Sequence, residues 1–148
     1  MKIFLAVLSA LVLATGSLRA ADDSALLSTL GATSAQTVLI THFAVATLAD
    51  AFAGKAYKKE QATNVINIYI NATTRTREHL SKLAEAGTLN RPDQEFVEHT
   101  VEVLALVLRE AGDLKDYISS GKPADAQAFE SSRKKALAEV QSLLGIKD

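Results

Sequence analysis

The sequence predicts an all-α protein, an antiparallel up-down-up-down four-helix bundle following a cleaved signal peptide. Three observations carry this. Apolar residues recur at steps of three and four through most of the chain, the spacing of one helix face. Gly54, Gly87, Gly121 and Gly145 each close a long periodic segment, where a left-handed cap favours a residue without Cβ. Thr37 to Phe52, TVLITHFAVATLADAF, is apolar nearly all round, as expected of a helix surrounded by others.

Residues 1–20 read as the signal peptide. Lys2 supplies the positive start, Ile3 to Ala14 is an apolar run, and Ser17-Leu18-Arg19-Ala20 places a small residue at the cut. A run of about a dozen apolar residues is short for a membrane span of roughly 20. The mature chain, residues 21–148, is long enough for one domain with its own core, and after signal removal no stable membrane anchor is expected.

The first bundle helix is expected over Thr33 to Ala53, preceded by the short segment DDSALLSTL. Between Arg19 and Lys55 there is no basic residue, and the acidic residues are Asp22, Asp23 and Asp50. Val38, Val45, Ala49 and Phe52 fall on one side, while Leu39, Ile40, Phe43 and Leu48 spread around the rest. Phe43 is expected in the core. The second helix runs from about Lys58 to Ala86, with the stripe Val65, Tyr69, Ala72, Thr76, Leu80 and Leu83. Its run Val65 to Ile70 has strand-like β-branching, which the length of the periodic pattern outweighs.

The third helix opens with Asn90 three residues before Asp93 and with Pro92 in the first turn, a capping arrangement. Its core face is Phe96, Thr100, Val103, Leu104, Val107, Ala111, Leu114 and Ile118, and Gly112 inside it costs about 1 kcal/mol against Ala. The fourth helix follows Gly121-Lys122-Pro123 with the stripe Phe129, Ala136, Val140 and Leu143, while Arg133, Lys134 and Lys135 face water. Short connections between long helices favour antiparallel neighbours.

Composition narrows the function. Removing Lys2 and Arg19 from the 16 basic residues leaves 14 against 17 acidic, a formal charge of −3. That balance does not suit nucleic acid, which needs a basic surface. Cysteine is absent, so neither disulfides nor thiolate metal sites form. The Glu-x-x-His pair of di-iron bundles, the Cys-x-x-Cys-His of c-type haem and the Gly-x-Ser-x-Gly elbow are all missing. No cofactor and no catalytic residue are expected.

Three histidines remain as candidates. His42 lies within the apolar stretch and is expected as a buried polar residue bonded to a hydroxyl or backbone carbonyl, with Thr37 and Thr41 nearby. His79 and His99 are equidistant from residue 89, so a hairpin folded there would set them at one height. With Glu102 they make the sole candidate metal set, although two flank imidazoles more often form a surface pair. Asn71-Ala72-Thr73 matches a glycosylation triplet in mid-helix. The clusters Thr73 to Arg77 and Lys55 to Lys59 read as solvated helix faces.

The C-terminal portion from Tyr117 to Ile146, YISSGKPADAQAFESSRKKALAEVQSLLGI, resembles the endings of small exported helical-bundle proteins of bacteria. The resemblance lies in the Gly-x-Pro turn, the aromatic that follows it and the closing Leu-Leu-Gly. It extends loosely to Ala49-Asp50-Ala51-Phe52, implies export and the bundle fold, and adds no activity. The expected function is that of an exported, non-enzymatic bundle that binds another protein or itself. The alternative is a periplasmic carrier of a small apolar ligand or metal ion held between helices.

Overall fold

The computed structural model describes the backbone of residues 2–146 and the side chains of residues 25–146. Four helices account for it: α1 (Lys2–Ala53), α2 (Lys59–Glu85), α3 (Arg91–Ser120) and α4 (Pro123–Leu144). There is no strand among the described residues. The class is therefore all-α with four helices. The side chains of the predicted signal peptide lie outside the described residues.

The chain divides into two compact units, residues 1–33 and 34–148. In the first, Leu27 and Leu30 are half-buried and Leu26 is exposed, and Thr29 Oγ1 donates to the Ala25 carbonyl at 2.8 Å. The expected start of a helix at Thr33 is not seen, because α1 is already helical from Lys2. No proline interrupts residues 21–33, and a lone Gly31 weakens a helix without ending it.

Within residues 34–148 the core forms two apolar clusters, each drawing on all four helices. One joins Val45, Leu48 and Ala49 of α1 to Ala62 and Ile66 of α2, Ala111, Leu114 and Ile118 of α3, and Phe129 of α4. The other joins Val38, Leu80, Val97, Val103, Leu104, Val107, Ala136 and Val140. In sequence, every helix places one buried polar residue between its contributions to the two clusters. These are His42 on α1, Thr73 on α2, Glu110 on α3 and Ser132 on α4. The hydroxyls satisfy themselves locally: Thr73 donates to the Tyr69 carbonyl at 2.7 Å, and Ser132 contacts the Phe129 carbonyl at 3.0 Å.

Helix ends follow the punctuation with one exception. Gly87, Gly121 and Gly145 adopt left-handed φ of 65°, 64° and 65°. At the end of α1 the left-handed residue is Lys55, φ 61°, and not Gly54. The Ala56 N–H reaches the Ala51 carbonyl at 2.8 Å and the Lys55 N–H the Phe52 carbonyl at 3.0 Å, the two bonds of a Schellman closure. At Gly54 an added Cβ would meet the Asp50 carbonyl oxygen at 3.1 Å, a tight contact. The start of α3 is as expected, with Asn90 accepting from the Asp93 N–H at 3.0 Å. At α2 the Gln61 side chain accepts from the Lys58 N–H at 3.0 Å.

Two face assignments change. Phe43 is not a core residue; it is 53% exposed, beside the buried His42. An all-round apolar stretch has no polar side to mark its solvent face, so position alone decides. On α2 the buried residues are Ala62, Ile66, Thr73 and Leu80, while Ala72 is exposed and Thr76 half-buried. The strand-like run offers apolar side chains on both sides, which displaces the stripe by about one residue. We expect Leu114→Ala, which empties a fully buried site, to lower stability by about 2–5 kcal/mol. Phe43→Ala should lower it by well under half as much. Urea melts of the two variants check the assignment, and equal losses would contradict it.

Candidate functional site

Two of these buried polar residues form an ionisable pair. His42 is delivered by α1 one turn after Val38 and three residues before Val45, both fully buried. Glu110 is delivered by α3, three residues after Val107 and four before Leu114, on the same stripe. Their side chains are 1% and 0% exposed, and His42 Nδ1 lies 2.8 Å from Glu110 Oε2. This is the distance of a charge-assisted hydrogen bond. The other carboxyl oxygen, Oε1, is buried with no hydrogen-bond partner.

Burial pushes the Glu110 carboxyl above its ordinary value of 4.5, and the bond to His42 only partly offsets this. Arg133 also pulls it down slightly and Glu130 pushes it up. Those two α4 residues are engaged with each other: Arg133 Nε and Nη2 donate to the Glu130 carboxylate at 3.0 and 2.9 Å. That contact holds the Glu130 carboxyl below its usual range.

His42 is thus buried, but its partner is a carboxyl 68 residues away, not the nearby hydroxyls. Thr41 Oγ1 donates to the Thr37 carbonyl at 2.8 Å. Glu110 was missed because a search of α3 for apolar residues passes over it. The available signal was a glutamate sitting on the apolar stripe between Val107 and Leu114.

The candidate metal residues lie on two helices, α2 and α3. His79 is exposed on α2 and Glu102 is exposed on α3. His99 is half-buried, with Nε2 3.7 Å from Glu139 Oε2 on α4. Among the described residues no three His, Cys, Asp or Glu side chains gather closely enough to hold a metal ion. Glu102 instead lines an open groove with Ser81, Glu85 and Glu98. A second open groove lies between α3 and α4, where Leu106, Arg109 and Asp113 face Ser131, Ser132 and Lys135.

The outer side of α1 is the other distinctive surface. Ile40 and Phe43 are 57% and 53% exposed, one helical turn apart. Gln36, Thr47 and Asp50 continue the same exposed face. Residues Ala25–Ala53 are also long and apolar enough, by length and composition, to cross a membrane, with a mean hydropathy of 1.3.

Compared with protein-family models, with curated proteins and with solved structures, the chain matches none.

Breaking a buried pair leaves one charged or polar group unpartnered, whereas replacing both members with apolar side chains removes the demand altogether. His42→Leu and Glu110→Leu should each cost about 3–5 kcal/mol. The double variant should lose less than the two together, by about 0.5–3 kcal/mol of coupling. A double-mutant cycle from urea melts measures it, and additive losses would mean that the two side chains do not depend on each other.

Proposed function

We propose that the chain is an exported, non-enzymatic helical bundle of up-down-up-down topology that acts by association, with the exposed face of α1 meeting a second copy of the chain. The observation that carries the reading is the pair Ile40 and Phe43, large apolar side chains left in water on the helix that also supplies Val38, Val45 and Leu48 to the core. The face has no charged residue from Gln36 to Thr47, so two copies of it would meet without like-charge repulsion. Connections spanning 54–58, 86–90 and 121–122 are short, which supports antiparallel neighbours. Lys2 followed by the apolar run supports export.

Insertion of α1 into a bilayer has less support. The helix places His42 against Glu110 and exposes Gln36, Thr47 and Asp50, groups that are costly in hydrocarbon. The carrier reading has less support, since two grooves among the described residues are open and lined by charged side chains.

The native mass of the mature protein, measured by light scattering over a range of concentrations, tests the proposal. We expect a dimer that dissociates on dilution and a monomer for Ile40→Ser/Phe43→Ser. A monomer throughout, or a dimer indifferent to both substitutions, would refute the contact surface.

A further inference from the structure

The outer face of α1 has a direction that its end residues define. Gln36, Ile40, Phe43, Thr47 and Asp50 are all exposed, and they follow one another in alternating steps of four and three. That is the spacing of a seam along which a second helix packs. At a rise of about 1.5 Å per residue the five positions cover about 21 Å of helix. Phe43 stands at the centre, with Gln36 seven residues before it and Asp50 seven after. The seam is therefore apolar in the middle, neutral and polar at one end, and negative at the other. Within the chain neither the Gln36 amide nor the Asp50 carboxylate has a hydrogen-bond or ion-pair partner among the described residues. Asp50 acts only at longer range on Arg133 of α4, which is already bound to Glu130.

We propose that two copies pack α1 on α1 antiparallel about a two-fold axis at Phe43, each Gln36 amide donating to the partner's Asp50 carboxylate. This rests on the self-association proposed above and adds the orientation and register of the contact. A two-fold axis across α1 at that point sets Phe43 on the partner's Phe43, and Ile40 within one residue of the level of the partner's Thr47. It brings the same patch of both copies together, as a two-fold interface must.

The parallel arrangement also matches Phe43 with Phe43, so the apolar centre does not choose between them. The ends do. Parallel helices bring Asp50 against the partner's Asp50, two like charges closing on each other, and leave the two Gln36 amides facing one another. Antiparallel helices place a neutral donor opposite each carboxylate, and two such bonds form by symmetry.

Disulfide trapping in the mature chain tests the orientation. The protein has no cysteine of its own, so Gln36→Cys and Asp50→Cys each introduce a single thiol at an exposed position. The two variants, one labelled with nitrogen-15, are mixed, oxidised and weighed by mass spectrometry. In the antiparallel contact identical positions stand about 21 Å apart along the helix, too far for a bridge, so the mixed disulfide should dominate. In the parallel contact the two homodisulfides should dominate instead. That result would overturn the orientation and leave self-association standing. A dimer in which no disulfide dominates would place the contact off this face and overturn both the register and the proposed surface. A monomer by light scattering would overturn self-association itself. Gln36→Lys supplies a second reading, because α1 has no acidic residue within a turn of position 36. Facing the partner's Asp50, it should tighten the dimer by about two- to tenfold through two surface ion pairs. An unchanged or weakened dimer would overturn the antiparallel contact.

Discussion

The bond between His42 and Glu110 constrains the bundle more than any apolar contact does. Apolar side chains accept many neighbours, and a core of Val, Leu and Ala tolerates small shifts of one helix along another. A buried imidazole and a buried carboxyl do not. Sliding α1 by one turn, about 5.4 Å, would leave both without a partner in a medium where each demands one. The pair thus sets the register in which Val38 and Val45 reach their separate clusters. Two apolar clusters, with one buried polar residue between them along each helix, are the result. Its contribution is selectivity among packings more than net stability, because a well-packed apolar pair would satisfy the same space without desolvating charge.

That constraint also settles what α1 shows to water. With His42 turned inward to α3, Phe43 and Ile40 are turned outward by the helical period. The apolar surplus of the first bundle helix is therefore surface and not filling. Burying the aromatic would require turning the imidazole out and stranding Glu110. Core and surface on α1 are consequences of one side-chain choice.

Much of this was legible in the residues. Three left-handed glycines, the Asn90 cap and the face of α3 follow from local chemistry, which a sequence displays. The parts that were not legible depend on distant chain. Nothing near His42 announces a carboxyl partner 68 residues away, and nothing inside Thr37 to Phe52 marks which side meets solvent. On α2 the run from Val65 to Ile70 supports two adjacent stripes almost equally, and packing in a cluster shared by all four helices chooses. Lys55 takes the left-handed place beside an available glycine, and nothing in the local residue types announces that choice. Glu110 was the readable exception, a glutamate on an apolar stripe.

The central claim is that burial of the His42–Glu110 contact raises the Glu110 carboxyl above its ordinary value of 4.5. A carbon-13 NMR titration of the Glu110 side-chain carboxyl in the folded protein tests it most directly. The account predicts a carboxyl that titrates above its ordinary value of 4.5. A carboxyl that ionises at or below that value while the fold persists would contradict it.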